Sequence, residues 1–221
     1  MALPKMDSNK IFASIIKSQA KDRLEEFRQY TLEIEAKFDS DKKSLANSYD
    51  EAIKGLSEDQ KREIDDYFAD DYYIIDEIHV GLYRKSTLVS VYSCLENALR
   101  ILCRHLCARH GYPVKLDDLR GEGIVRAKDY LEKLAKVDFS ALNDEWSHLM
   151  TLNRIRNCIV HCEGDIKSST SAAQLQNIVN KTRGLFLRNE RCIRVEREYV
   201  DSGITKAEKF LDKLYQQVFS S

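Results

Sequence analysis

Asn143-Asp-Glu-Trp-Ser-His-Leu-Met-Thr-Leu-Asn-Arg-Ile-Arg-Asn-Cys-Ile-Val-His-Cys-Glu-Gly164 contains no proline and no internal glycine, and it reads as one helix closed by its terminal glycine. At about 100° per residue, Leu152, Ile155, Ile159 and Cys162 fall within roughly 80° of one another and form a core-facing stripe. The opposite arc, about 140° wide, carries Arg156, Val160, Asn153, Asn157, Met150 and His161. A solvated helix would show Glu and Lys there. A face that mixes cationic, amide, imidazole and apolar groups is expected to meet a ligand or a partner.

Arg156, Asn157 and His161 are the chemically informative members of that arc. Their spacing leads us to expect a guanidinium, an amide and an imidazole in one shared volume, suited to a phosphate. Arginine offers a planar fork to phosphate oxygens, and histidine moves protons near neutral pH. His161 also lies in the last turn, where the negative end of the helix dipole favours the protonated ring. Nothing in this set calls for a metal or a cofactor.

At these residues the chain resembles the HEPN superfamily, whose motif is Arg, a polar residue, three further positions and His on a helix near a dimer interface. Leu116-Asp-Asp-Leu-Arg-Gly-Glu-Gly-Ile-Val-Arg-Ala-Lys-Asp-Tyr-Leu131 is similar to the loop and helix that precede the motif helix in that family. Long helices before the motif, and a short strand-like segment with a closing helix after it, extend the likeness over residues 57–221. The resemblance implies an all-α, HEPN-like helical bundle with long N-terminal helices and a small C-terminal β-hairpin. It leaves residues 1–56 as an N-terminal helical extension.

The resemblance further implies a homodimer in which two motif helices meet across a two-fold axis. Its activity would be that of a metal-independent endoribonuclease acting on single-stranded RNA, in a toxin or antiphage defence setting with an antitoxin or defence-system partner. The RNA 2′-hydroxyl would attack the adjacent phosphorus and leave a 2′,3′-cyclic phosphate. Arg156 would stabilise charge on the phosphoryl oxygens, His161 would shuttle a proton, and Asn157 would orient phosphate or imidazole. The same fold also serves members that bind RNA, a nucleotide or a protein without cutting.

The rest of the chain sets bounds on this reading. Among 221 residues, 35 Lys and Arg balance 36 Asp and Glu, so any RNA site is local rather than a property of the whole surface. Two prolines and eight glycines leave long helices as the default. No export signal and no membrane-length apolar run is visible, which reads as a cytoplasmic protein. Candidate phosphate contacts beyond the motif are Arg154 and, on the turn of a hairpin formed by Leu185–Leu187 and Cys192–Val195, Arg188 and Arg191. A solvated edge is the plainer reading of that turn.

Phe12, Ile16, Leu24, Phe27, Ile34 and Phe38 recur at helical steps, so an amphipathic helix is expected from Ser8 to about Leu56, with a possible break at Asp39-Ser-Asp41. It would pack on the rest of the chain or form an inter-subunit coiled coil. Ser57-Glu-Asp-Gln60 is a capping box that starts a helix running to Leu82, and a second, more apolar helix is expected from Ser86 to His110. Asp65, Asp66, Asp70, Asp71, Asp76 and Glu77 make the first of these acidic. That is a solvated face or one that meets a basic surface, and a divalent cation is the alternative.

Gly121-Glu-Gly123 reads as a turn before a helix that runs to about Lys136. Residues 165–171 read as polar and mobile, followed by short and closing helices at 172–183 and 204–219. Cys103 and Cys107, like Cys158 and Cys162, are one turn apart, so two facing helices could offer four thiols to zinc or disulfides. Reduced core thiols are the reading we favour.

Overall fold

The computed structural model describes residues 8–220. Residues 1–7, part of the stretch read for an export signal, lie outside the described residues, as does Ser221. No helix among the described residues is long and apolar enough to cross a membrane.

The fold is all-α with one small antiparallel hairpin. Helices α1 (Ser8–Ala52), α2 (Glu58–Tyr73) and α3 (Val80–His110) come first, then α4 (Gly123–Lys133), α5 (Asn143–Cys162) and α6 (Ala172–Lys181). Strands β1 (Leu185–Arg188) and β2 (Cys192–Val195) precede the closing helix α7 (Arg197–Ser220). The centre is α3, which packs against α1, α4, α5 and α7. Its Leu88, Val91, Leu95, Leu99 and Leu102 recur at helical steps and are fully or almost fully buried. Helix α7 answers with Val200, Ile204, Ala207, Phe210 and Leu214.

Several helix boundaries differ from the sequence reading. Helix α1 runs through Asp39-Ser-Asp41 without a break. Helices α2 and α3 are continuous through a π turn at Ile74–His79, so no break falls between Leu82 and Ser86. The capping box at Ser57 is present, with the Ser57 backbone N–H donating to Gln60 Oε1 at 3.0 Å. Helix α4 ends at Lys133 rather than Lys136, since Lys136 adopts φ +56 and helical backbone cannot pass through it.

The first half of α1 packs into the common core through Ile16, Ala20 and Leu24. Beyond Glu35 the helix leaves the core: no residue from 36 to 79 is buried, and α2 meets α1 there through the Tyr49–Phe68 ring contact and the Tyr49 hydroxyl on Asp65.

At the root of this arm a chain of ion pairs ties four elements together. Arg84 of α3 donates from Nε and Nη2 to the two carboxylate oxygens of Glu35 at 2.8 and 2.9 Å, and from Nη1 to Glu196 at 2.8 Å. Glu35 is 3% exposed and Arg84 is 8% exposed, so neither charge is held by water. Arg194 of β2 bonds Glu196 and also Asp76 and Glu77 on the π turn, and Lys42 of α1 bonds Asp76. The acidic segment thus meets this chain's own hairpin.

Candidate RNA cleft on the motif helix

Helix α5 is seated by Leu149, Leu152, Ile155 and Cys158, all buried. Of the expected stripe, Leu152 and Ile155 are buried while Ile159 and Cys162 are only half-buried, and Leu149 and Cys158 are buried beside them. At the N-terminal end of the helix, buried Glu145 accepts two hydrogen bonds from Lys213 of α7 at 2.9 and 3.0 Å. The helix ends at Cys162, and Glu163 takes the left-handed conformation before Gly164 does, at φ +54 and +86. Glycine suits position 164 because its φ of +86 strains any residue that carries a Cβ. The Gly164 carbonyl and the Ile166 amide then pair with β2 and the hairpin turn, so the hairpin clamps the end of the motif helix.

The segment that follows, read as polar and mobile, carries a knot of hydrogen bonds on Asp165. Asp165 accepts from the Lys167 amide at 2.9 Å, the Ser168 hydroxyl at 2.6 Å and the Arg191 guanidinium at 2.8 Å, while Ile166 is buried. The Arg191 and Ser168 bonds hold the Asp165 carboxyl well below the usual carboxylate range. This knot sets Ser168–Ser171 across from the last turns of α5. Between them lies a cleft of about 330 Å³. Arg154, Asn157, His161 and Cys162 form one wall, and Ser169, Thr170, Ser171, Gln174 and Leu175 form the other.

Of the expected site residues, the cleft brings together Arg154, Asn157 and His161. His161 is exposed and has no hydrogen-bond partner among the described residues. Arg156 is not in this cleft, which corrects the expectation of one volume shared with His161 within a single chain. Its guanidinium lies 5.1 Å from the centroid of the Tyr92 ring on α3, and its Nη1 donates to Asn157 Oδ1 at 2.9 Å. The reason is angular: five residues along a helix turn the side chain by about 140°, toward the α3 side. Asn157 therefore links the two, bonded to Arg156 on one side and lining the cleft on the other.

Arg188 and Arg191 each have partners within the chain. Arg188 donates to the Tyr73 hydroxyl at 2.9 Å, stacks on that ring and pairs with Glu77 at 3.3 Å. Arg191 pairs with Asp165 at 2.6 Å. These contacts join residues far apart in sequence.

The cysteine pairs do not converge either. The Cys103 thiol bonds the Ala127 carbonyl, and the Cys107 thiol those of Tyr112 and Val114, all on the α4 side. Cys158 instead feels Cys162 and Cys192. All six cysteines are free thiols. Burial pushes the Cys103 thiol up to about 12 and that of Cys158 up to about 11, so both are neutral. Gly123 packs so closely that a Cβ would lie 2.9 Å from the Tyr92 hydroxyl, which explains the glycine as a packing requirement.

The residues that sequence reasoning missed are Thr170, Ser171 and Gln174. Their signal was the hydroxyl run Ser168-Ser-Thr-Ser171 just before a helix, which marks a helix start as readily as a loop. Comparison with protein-family models, with curated proteins and with solved structures gives no match to this chain.

Proposed function

We propose that the protein is a metal-independent endoribonuclease that cuts single-stranded RNA through attack of the 2′-hydroxyl on the adjacent phosphorus. The observation that supports it most is the cleft in which exposed, unpartnered His161 stands beside Asn157 and Arg154. In the proposed step the 2′-oxygen bonds to phosphorus, the bond to the 5′-oxygen breaks, and a 2′,3′-cyclic phosphate and a 5′-hydroxyl are formed. His161 takes the 2′-proton or, when protonated, delivers one to the departing 5′-oxygen. Arg154 neutralises phosphate charge, and Asn157 couples that site to Arg156.

A homodimer would supply the second acid–base group. Its proposed surface is the outer stripe of α3: the exposed residues from Leu82 to Asn97 are Leu82, Ser86, Ser90, Ser93 and Asn97, none of them charged. The three serine hydroxyls donate to carbonyls of their own helix, so the stripe offers few free polar groups. It borders a groove of about 800 Å³ that reaches Ile159 of α5, and Val160 beside it is 45% exposed. Leu82→Glu places a charge in that contact and is expected to give a monomer of unchanged helicity by light scattering and circular dichroism. A Leu82→Glu dimer of unchanged affinity rules out this face.

The function is tested with purified protein and mixed RNA in EDTA. Products ending in 2′,3′-cyclic phosphate are expected, with none from RNA whose 2′-oxygens are methylated. Cutting that needs added metal, or products with 5′-phosphates, overturns the proposal. A non-catalytic RNA-binding module is the second reading, favoured by one observation: Arg156 is engaged by Tyr92 and Asn157.

A further inference from the structure

Charge is divided unevenly along this chain. Residues 58–77 hold nine Asp and Glu against Lys61 and Arg62, a balance of −7 in a chain of net charge −1, so everything outside that segment sums to +6. Asp76 and Glu77 are taken up by Lys42, Arg188 and Arg194 at the root of the arm. Farther out, Glu63, Asp66 and Asp70 are exposed and meet no basic side chain among the described residues. Tyr67 stands among them at 65% exposure, and Ile74, Ile78 and Leu82 continue the row at 44, 39 and 62%. Large apolar side chains left in water and edged by carboxylates fit a partner that is basic.

The chain itself carries a surface of that kind. Helix α2 passes through the π turn into α3 without a break, so one rod runs from Glu58 to His110. Its exposed side is acidic from Glu63 to Asp70, uncharged from Leu82 to Asn97, and basic at Arg100 and Arg104. No Asp or Glu occurs between Glu96 and Asp117. Neither arginine is firmly held: Arg100 bonds the Asn97 amide oxygen, and Arg104 reaches Asp117 at 3.6 Å with both side chains more than half exposed.

At 1.5 Å per residue, Asp70 and Arg104 lie roughly 25 Å to either side of Ser86. Two such rods laid side by side in the same direction would set acid against acid. Turned end for end about a two-fold axis near Ser86, they set each acidic arm on the other's basic end, with the uncharged stripes in contact between.

We infer that the arm is a clasp for a second copy of this chain, the outer face of α2 lying antiparallel on the C-terminal half of the partner's α3. Asp66 and Asp70 face Arg100 of the partner subunit and Arg104 of the partner subunit, and the exposed isoleucines are covered between them. The clasp gives a role to a segment that buries no side chain in its own body. The inference rests on the homodimer proposed above and adds to it the direction of pairing and a second set of contacts.

The test is the dimer dissociation constant of the full-length protein, measured by sedimentation equilibrium at low and at high salt. Wild type is expected to dimerise and to weaken as salt rises, since exposed charges are screened. Asp66→Lys/Asp70→Lys and Arg100→Glu/Arg104→Glu are each expected to weaken the dimer by about tenfold or more, because like charges are brought together. All four positions are exposed, so both variants should fold, which circular dichroism checks. The decisive sample is an equimolar mixture of the two variants. In the mixed pair the lysine arm meets the glutamate end and the aspartate arm meets the arginine end, so the mixture should dimerise more tightly than either variant alone. A mixture no tighter than its components, or variants that dimerise like wild type, overturns the clasp and leaves the α3 contact to the Leu82→Glu test. Wild type that stays monomeric at every concentration overturns the homodimer and the clasp together.

Discussion

His161→Ala is expected to lower the rate of RNA cleavage in EDTA by about 10²–10⁴, the range for loss of a positioned acid–base group. The imidazole is exposed at the end of α5, and no hydrogen bond among the described residues depends on it, so fold and assembly should survive its removal. RNA affinity should change little, because Arg154 and the hydroxyls of the opposite wall remain. Arg156→Ala is different in kind. It removes the group that holds Asn157 and stacks on Tyr92, so its effect on rate should come with altered packing near the α3 face. Measured single-turnover rates and filter-binding constants separate the two. A folded His161→Ala protein with full activity would remove the imidazole from the mechanism and favour the binding-module reading.

Arg84→Met should destabilise the protein by about 3–5 kcal/mol, the cost of leaving a buried carboxylate without its counter-charge. Glu35 would be the orphan, since both its oxygens are held by Arg84 alone at 2.8 and 2.9 Å. Glu196 is partly exposed and keeps Arg194, so it loses less. The double variant Arg84→Met/Glu35→Leu should recover most of the loss, because apolar side chains of similar size can replace a buried ion pair at little cost. Urea midpoints of the two single variants and the double variant test this. If Arg84→Met lies within about 1 kcal/mol of wild type, Glu35 is reached by water and the pair is not buried in solution.

Sequence pattern revealed much of the fold, and distance along the chain hid most of what was missed. The motif helix was legible because Asn143–Cys162 has no glycine or proline. The hairpin was legible because Leu185, Leu187, Ile193 and Val195 alternate with outward residues across a turn containing Asn189. The turn itself takes left-handed backbone at Asn189 and Glu190, and only the first of these advertises it. The π turn at Ile74–His79 carries no such signal, since the segment holds no glycine or proline to mark it.

In the candidate site, His161 and Asn157 were placed by periodicity. The partners of Arg188 and Arg191 were not legible because the carboxylates that engage them, Glu77 and Asp165, are close only in the folded chain. The tie between the Asp165 turn and the hairpin was hidden for the same reason.

The arm formed by the outer part of α1 and by α2 contributes no buried side chain, yet both of its helices continue from segments anchored in the core. Starting a helix is the unfavourable step, and here it has already happened in the body before either helix emerges. The arm can therefore stay helical while holding almost no share of the cooperative unit. Its amides should exchange with solvent in a gradient, fastest at the Gly55 tip and slowest near Lys42 and Asp76, where the ion pairs begin. In mechanical terms the arm is a strut clamped at one end: it can fray or be clipped at its tip without passing the disturbance through the charged root to the cleft.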